Sequence, residues 1–258
     1  MSPWFGVRAR LDRVVAVLLG LAVSPMVVVL AALVRRHDGG PAFIRVARVG
    51  QGRVPFGMWK LRTMRAERPD GGAGGAALTT LADTRVTPIG RVLRRYHLDE
   101  LPQLLNVVVG DMLLLGPRPE APDYVGAPDR RWDAVLAVPP GIAGPTQVMV
   151  GAWEQQRLAG AEAGASDEVY RTEVLAVKLA LDEWYVRSAS PRIDVEVLLA
   201  LALPFLPGHR RGPLHARVVR SVPETRAVDP TASDPAADEA TADADRSVRA
   251  GVSAPRTR

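Results

Sequence analysis

The stretch LADTRVTPIGRVLRRYHLDELPQLLNVVVGDMLLLGPRP, residues 81–119, decides how the rest of the chain is interpreted. It contains an adjacent pair of carboxylates, Asp99 and Glu100, and ends on a turn-rich Gly-Pro-Arg-Pro segment. Four arginines lie close to this pair in the sequence: Arg91, Arg94, Arg95 and Arg118. The pattern predicts a short basic helix over RVLRRY and a second helix that begins at His97 or Asp99, with Pro102 in its first turn.

The carboxylate pair has two interpretations. Asp99 and Glu100 fall at the positive end of the predicted helix dipole, which stabilises ionised acidic side chains, so their common role is that of a cap and dipole partner. An ionised carboxylate among arginines can also act as a nucleophile at a phosphorus centre. A neighbouring Glu can then bind Mg²⁺ while the arginines neutralise phosphoryl charge. The pair alone does not choose between these roles.

Length and composition limit the class of protein. The 258 residues suffice for one core with an appendage, and a hydrophobic content of 47% is enough to build that core. The chain contains no cysteine, which excludes disulfides, thiolate nucleophiles and cysteine-based zinc sites. The net charge of +5 suits phosphate-bearing partners, whether nucleic acid, an anionic membrane surface or a nucleotide-like substrate.

Residues 14–34 form an uncharged apolar run that is long enough to span a bilayer as a helix. Ser24 and Pro25 interrupt its middle, where the proline removes the amide bond to the carbonyl of Leu21 and the serine can satisfy freed backbone groups. Arginines flank both ends, so the positive-inside tendency does not assign the ends to opposite sides. A kinked single span and a broken, re-entrant helix both remain open.

The segments that follow alternate turns with short elements. Residues 43–49 and 54–61 have β-type content and predict a hairpin around Gly50–Gln51–Gly52. Lys60, Arg62 and Arg48 on this hairpin are either basic groups at an anionic surface or phosphate contacts. The Gly-rich residues 67–77 predict a flexible loop.

The C-terminal half predicts further helices and a tail. A helical pattern covers residues 124–138, and IAGPTQVMVGAW after Pro139–Pro140–Gly141 predicts loop and short strand. Residues 166–187 predict a long helix, and the short apolar residues 194–206 predict an interfacial or buried helix. Residues 221–258 contain almost no large apolar side chain and predict a disordered tail.

Residues 10–207 resemble the bacterial sugar transferases of the polyprenyl-phosphate phosphoglycosyl transferase family in its small monotopic form. LDELPQL, GDM and GPRP in this order and spacing are highly specific. The matching segments are Ser24–Pro25, PAFIRVARVG (41–50), KLRTM (60–64), DTRVTPIGRVLRR (83–95), LDELPQLLNVVVGDMLLLGPRP (98–119), PPGIAGPTQV (139–148) and DEWYVRSASPRIDVEVLL (182–199). The chain departs from the family pattern at His97, at Val46 and in the residues after Gln147. Because the loop after Gln147 differs, the resemblance does not imply which sugar the donor carries.

The resemblance implies a membrane-associated, helix-rich α+β fold with short β-hairpin elements and an N-terminal re-entrant membrane helix broken at Ser24–Pro25. It implies that Asp99 is the nucleophile, that Glu100 binds or positions Mg²⁺, and that Arg94 and Arg118 contact phosphates. Together with the basic hairpin, this gives the expected substrate-binding residues: Arg94, Arg118, Lys60 and Arg62.

The expected organisation has three parts: a membrane helix with basic flanks (1–36), a cytoplasmic catalytic domain (37–207), and a basic, then disordered tail (208–258). The expected partners are a UDP-sugar, a polyprenyl phosphate and membrane lipid, without nucleic acid, and a homodimer is left open. The expected activity is sugar-1-phosphate transfer through a phosphosugar–aspartyl intermediate on the cytoplasmic face of the bacterial inner membrane, initiating lipid-linked glycan synthesis. The alternative is an inactive homologue that acts as a membrane-anchored scaffold or binds anionic lipid or nucleic acid by charge.

Overall fold

The chain forms a helix-rich α+β fold with a long apolar N-terminal helix and two small sheets. This computed structural model describes residues 4–65, 85–126, 129–161, 165–202 and 213–228. The strands are β1 (Phe43–Val49), β2 (Pro55–Leu61), β3 (Leu113–Leu115) and β4 (Gly141–Ala143). The α-helices are α1 (Trp4–Asp38), α2 (Pro88–Arg95), α3 (Leu104–Val109), α4 (Pro122–Val125), α5 (Arg131–Val135), α6 (Pro145–Met149), α7 (Gly151–Ala159), α8 (Ser166–Val169), α9 (Leu175–Ser188), α10 (Pro191–Ala202) and α11 (Pro213–Ser221).

Helix α1 is 35 residues long and contains Pro25 without an interruption of its helical backbone. The helix therefore continues through Ser24 and Pro25, the position of the predicted break. The Ser24 hydroxyl donates to the carbonyl of Leu21 at 2.9 Å, which satisfies the acceptor that the proline deprives of its amide partner. The helix is long and apolar enough to cross a membrane.

Both ends of α1 pack against the rest of the protein, while its middle is exposed. Near the N-terminus Phe5 lies in a core with residues of α9, α10 and α11, and Ala16 packs with Met58 and Val107. Near the C-terminus Val34 packs against Leu61 and Leu93. Between them the exposed apolar side chains are Val17, Leu18, Leu19, Leu21, Met26, Val28, Val29 and Leu33. A continuous apolar surface therefore lies between two attachment points on the same body.

Strands β1 and β2 pair antiparallel, as the sequence predicted, with Val46 opposite Met58. A 3₁₀ turn over Gln51–Arg53 joins them. Asn106 of α3 covers the other edge of β2, because its Oδ1 accepts from the amide of Trp59 at 2.9 Å and its Nδ2 donates to the carbonyl of Gly57 at 3.0 Å. This side chain continues the ladder that a third strand would provide and fixes β2 against α3.

The second sheet is a parallel pair, β3 and β4, with Leu113 opposite Gly141 and Leu115 opposite Ala143. The backbones at the ends of these two strands approach so closely that a Cβ on Gly141 would lie 2.5 Å from the Cα of Gly116. The helical pattern predicted within residues 124–138 is confirmed by α5 and by the end of α4. One prediction near this sheet needs correction, because the segment after β4 is the helical pair α6 and α7 in place of the expected loop.

The long C-terminal helix is confirmed, since α8, a π-helical turn over Tyr170–Val174 and α9 cover residues 166–188. Helix α10 buries Ile193 and Val197 in the core. Its other face exposes Val195, Leu198 and Leu199, each by more than half of its surface. This arrangement agrees with an interfacial helix.

The prediction of a disordered tail from residue 221 is wrong for residues 221–228. Leu214 and Val218 of α11 are buried in the same core as α9 and α10, together with Val222. A 3₁₀ helix, Pro223–Val228, follows. Three apolar residues spaced four apart suffice to form one buried helical stripe, despite the polar composition around them. The remainder of the predicted tail and the predicted Gly-rich loop at 67–77 lie outside the described residues.

Candidate active site

Asp99 and Glu100 lie in the first turn of a 3₁₀ helix, Leu98–Gln103, that runs directly into α3. His97 precedes it with a left-handed backbone (φ 54°) and makes no side-chain cap. Of the two predicted cap residues, His97 occupies the cap position, and its side chain makes no capping hydrogen bond. The sharp turn at His97 instead places both carboxylates against β2, and the side chain of Asp99 is only 9% exposed.

Glu100 is held between two cations. Its Oε1 lies 2.5 Å from Arg118 Nη2 and 2.9 Å from Lys60 Nζ, and its Oε2 lies 3.2 Å from Arg118 Nη1. Burial opposes ionisation of Glu100, but the charges and hydrogen bonds of Arg118 and Lys60 outweigh it, so its pKa lies far below the usual range. Glu100 is thus ionised at any physiological pH and orients both cations.

Arg118 reaches this position from the Gly-Pro-Arg-Pro turn at the end of β3. The amide of Gly116 donates to Ala143 O at 2.8 Å, and the amide of Gly141 donates to Pro117 O at 2.8 Å. Arg118 itself donates through Nη1 to the carbonyl of Ile142 at 3.3 Å. The parallel pairing of β3 with β4 therefore fixes the direction of the guanidinium.

Asp99 is less tightly held than Glu100. Its Oδ2 lies 3.9 Å from Lys60 Nζ, an ion pair without a hydrogen bond. Burial raises the pKa of Asp99, and the nearby charge of Glu100 adds to this, whereas Lys60 and Arg94 oppose it. A carboxylate that is poorly solvated and not saturated with hydrogen bonds retains lone pairs for nucleophilic attack.

Arg94 borders Asp99 from α2. Thr87 caps α2 by accepting from the amide of Gly90 at 2.9 Å, and a Cβ on Gly90 would lie 2.8 Å from the carbonyl carbon of Thr63. Only glycine allows α2 to lie this close to the end of β2. As a result Arg94 Nε donates to Thr63 Oγ1 at 2.8 Å, beside the carboxylates.

Arg62 does not join this cluster. It forms a bidentate ion pair with Asp38 at the end of α1, and it donates to the carbonyls of Pro41 at 2.6 Å and Met64 at 2.9 Å. These partners fasten the C-terminal end of α1 to the end of β2. The structure therefore brings four of the predicted substrate-site residues together, Asp99, Glu100, Lys60 and Arg118, with Arg94 at the border, and gives Arg62 a structural contact instead.

A second buried polar cluster was not predicted. Lys178 of α9 lies 2.7 Å from Glu120 Oε1, and the hydroxyl of Tyr170 donates to the same oxygen at 2.7 Å. Glu120 follows the Gly-Pro-Arg-Pro turn by one residue, so this cluster adjoins Arg118. The sequence feature that could have predicted this cluster is Lys178 on the buried face of an apolar helix, because a buried charge requires a partner.

Within the described ranges, no group of three or more His, Asp or Glu side chains could hold a metal ion. Asp99 and Glu100 are the carboxylates that lie beside Lys60 and Arg118. Mg²⁺ commonly binds to one or two carboxylates and takes its other ligands from substrate phosphates and water. These two residues therefore fit Mg²⁺ only if the substrate completes the coordination.

The sequence is similar to known proteins over most of its length. It is 36% identical over 194 residues to the UDP-glucose:undecaprenyl-phosphate glucose-1-phosphate transferase of Caulobacter vibrioides, covering 73% of this chain and 66% of that protein. It is 32% identical over 211 residues to the UDP-N-acetylgalactosamine-undecaprenyl-phosphate N-acetylgalactosaminephosphotransferase of Aeromonas hydrophila, covering 80% of this chain and 45% of that protein. The chain thus spans between about half and two thirds of the length of these two relatives.

A third relative, the exopolysaccharide production protein ExoY of Sinorhizobium fredii, is 32% identical over 211 residues, covering 77% of this chain and 85% of that protein. The sequence profile of the family described as bacterial sugar transferase matches residues 5–206. This range includes every residue of the cluster around Asp99 and Glu100. The chain therefore belongs to the bacterial sugar transferase family.

Proposed function

We propose that this chain transfers a sugar-1-phosphate from a UDP-sugar to a polyprenyl phosphate, the first step in building a lipid-linked glycan. The observation that carries the proposal is the buried Asp99, which adjoins Lys60 and Arg94, next to a Glu100 that orients Lys60 and Arg118. A nucleophile surrounded by cations suits attack on an anionic phosphorus centre, because the cations offset the repulsion between the carboxylate and the phosphate. Relatives of this chain carry names of the same reaction with different sugars.

In the proposed first step, a carboxylate oxygen of Asp99 attacks the phosphorus that bears the sugar. The bond between that phosphorus and the oxygen bridging the two phosphates breaks, and UMP leaves with the bonding electron pair. Asp99 then holds the sugar phosphate as an acyl phosphate. Lys60 and Arg118 neutralise the charge that develops on the phosphoryl oxygens, and Glu100 keeps both cations in position.

In the proposed second step, a phosphate oxygen of the polyprenyl phosphate attacks the same phosphorus. The bond to Asp99 breaks, and the carboxylate is regenerated as the polyprenyl-diphosphate sugar leaves. Both acceptors, the aspartate first and the lipid second, require the same cations, so one site serves both steps. The low solvation of Asp99 favours attack and also limits hydrolysis of the acyl phosphate by water.

We further propose Mg²⁺ as the cofactor, bound by Glu100 or Asp99 together with the diphosphate. The ion would supply additional charge neutralisation for the leaving UMP. Arg118 and Lys60 occupy both oxygens of Glu100, so metal binding at this residue requires that one cation turns toward the substrate. Asp99 needs no such rearrangement.

We propose that α1 bends at Pro25 inside the membrane and returns to the same side, with the catalytic part in the cytoplasm. The support is that both ends of α1 pack on one body, at Phe5 and Val34, while the residues between them expose an apolar surface. Exposed apolar side chains on α3 and α10, such as Val109 and Leu199, would lie in the adjacent headgroup region. The site would then meet a soluble UDP-sugar and a lipid phosphate together.

Release of UMP tests the activity. Purified membranes that contain the protein are expected to release UMP from one or more UDP-sugars only when Mg²⁺ is present. Asp99→Asn is expected to abolish release, and intact-protein mass spectrometry with donor alone is expected to detect a phosphosugar adduct on Asp99. Near-native release by Asp99→Asn would refute the nucleophile assignment, and no release from any UDP-sugar would favour the scaffold alternative.

Cysteine accessibility tests the topology. Single cysteines placed at Arg10 and Arg36, both exposed and on either side of the apolar run, are expected to react with a membrane-impermeant reagent only in inverted vesicles. Labelling of the two positions from opposite sides would show a spanning helix and exclude re-entry.

A further inference from the structure

Arg48 lies on the same face of the hairpin as Lys60. The register pairs Arg48 with Phe56 and Ile44 with Lys60, so both basic residues project to one side of the β1–β2 ladder. The amide of Val49 donates to the carbonyl of Glu120 at 3.0 Å, which fixes this end of β1 beside the Gly-Pro-Arg-Pro turn. Arg48 thus lies near Arg118 and Glu100 of the active site.

The guanidinium of Arg48 has no hydrogen bond or ion pair with any part of the chain that the structure describes, and its Nε is buried without a partner. The charges of Glu120, Arg118 and Glu100 act on it. Both carboxylates are already engaged, Glu120 by Lys178 and Glu100 by Arg118 and Lys60. Burial lowers the pKa of Arg48, and the nearby charge of Arg118 lowers it further, because Glu120 and Glu100 only partly compensate the desolvation of its charge.

Arg45, three residues earlier on the same strand, is a contrast. It lies on the exposed face of the hairpin and stacks over the ring of Trp59, with its guanidinium carbon 4.2 Å from the ring centroid. This cation–π contact stabilises the charge of Arg45 while it stays in contact with solvent. Arg48 is half-buried and its Nε is fully buried without a hydrogen bond, which indicates an anion that is not part of the protein.

We propose that Arg48 binds a substrate phosphate, as an anion-binding cation in addition to Lys60 and Arg118. This inference rests on the proposed function, and it concerns a residue that the proposed chemistry of Asp99 does not require. The ligand is a phosphate group from either the UDP-sugar or the polyprenyl phosphate, since both bring one to the site. A guanidinium is suited to either because it donates two parallel hydrogen bonds to phosphate oxygens.

Binding without turnover gives the first test. Inorganic pyrophosphate and UDP are each added to the detergent-solubilised full chain, and the ligand-induced increase in melting temperature is measured for the wild type, Arg48→Met and Arg45→Met. We expect Arg48→Met to weaken the binding of at least one ligand by ten-fold or more, and Arg45→Met to bind both as the wild type does. Because no catalysis is involved, this result stands even if UMP is never released.

Stability separates binding from a structural role. Because Arg48 is half-buried without an ion pair, Arg48→Met is expected to melt at the wild-type temperature or above it without ligand. Loss of ligand affinity together with a large fall in melting temperature, repeated in Arg48→Gln, would indicate a structural role and overturn the proposal.

Kinetics separate the two sources of the phosphate. A single-turnover measurement of UMP release without acceptor reports donor binding, and the decay of the phosphosugar adduct as polyprenyl phosphate is added reports acceptor binding. A ten-fold higher half-saturation concentration of UDP-sugar in Arg48→Met would assign the donor phosphate, and the same change for polyprenyl phosphate would assign the lipid. Wild-type dependence on both substrates, with unchanged affinity for pyrophosphate and UDP, would refute the role of Arg48.

Discussion

Arg118 meets Glu100 through two hydrogen bonds, Nη2 to Oε1 at 2.5 Å and Nη1 to Oε2 at 3.2 Å, while Lys60 approaches Oε1 from another direction. One carboxylate therefore separates two cations that would otherwise repel each other. This relationship joins three regions distant in sequence: strand β2, the 3₁₀ helix that contains Asp99, and the turn after β3.

Glu100→Gln is expected to lower both stability and activity. The substitution leaves the half-buried Lys60 and Arg118 facing each other without a counter-ion, which lowers the free energy of unfolding by about 3 kcal/mol. Glu173→Gln is the matched control, because Glu173 pairs with Arg157 at the surface, where such a pair contributes at most about 1 kcal/mol. Chemical denaturation in detergent measures the difference, and equal effects of the two changes would contradict the role assigned to Glu100.

Gly141→Ala is expected to disrupt the site from a distance. The new methyl group would clash with the backbone of Gly116, which cannot move without separating β3 from β4 and displacing Arg118. We expect a loss of about 3 kcal/mol together with reduced UMP release. Gly126→Ala is the control, since nothing lies within 4 Å of a Cβ there. Wild-type stability of Gly141→Ala would disprove the close approach of the two strands.

Asp182 is expected to make stability depend on pH. Complete burial raises its pKa to about 7, although Thr146 donates to its Oδ1 at 2.5 Å. The folded protein therefore binds one more proton than the unfolded chain between about pH 4 and pH 7. It follows that Asp182 contributes a fall in the free energy of unfolding as the pH rises through this range, with a slope of up to ~1.4 kcal/mol per pH unit.

Asp182→Asn is expected to remove that slope, because the amide does not titrate. Denaturation midpoints at pH 5 and pH 8 measure it, and the variant is expected to lose less stability than the wild type between these values. The same pH dependence in both proteins would show that Asp182 is not the titrating group.

Leu214→Ala is expected to destabilise the whole fold. Leu214 is 1% exposed in the core shared with α9 and α10, so the truncation leaves a cavity that costs about 2–4 kcal/mol. Arg220→Ala on the exposed side of the same helix is expected to change stability by less than about 0.5 kcal/mol. A melting temperature of Leu214→Ala equal to that of Arg220→Ala would mean that α11 does not pack on the core in solution.

The hairpin, the basic helix α2 and the long helix at α8–α9 were predictable, because alternation and helical periodicity are local properties of the chain. The family motifs also placed Asp99, Glu100, Arg94 and Arg118 in one group, to which the basic hairpin added Lys60 and Arg62. The helices α6 and α7 were missed because glycine and proline at their starts resembled loop signals. The packing of α11 was missed because its three buried residues lie within a polar composition.

The sequence by itself determined the family and the order of its chemical groups along the chain, since motif order and residue spacing are linear properties. Only the tertiary structure separated three basic residues that look alike on one hairpin. Lys60 pairs with Glu100, and Arg62 fastens the end of α1 through Asp38. Arg48 is half-buried, and its Nε has no partner. Strand register, burial and the charges that other segments bring nearby decide this difference, and none of these can be computed from a residue's neighbours in sequence.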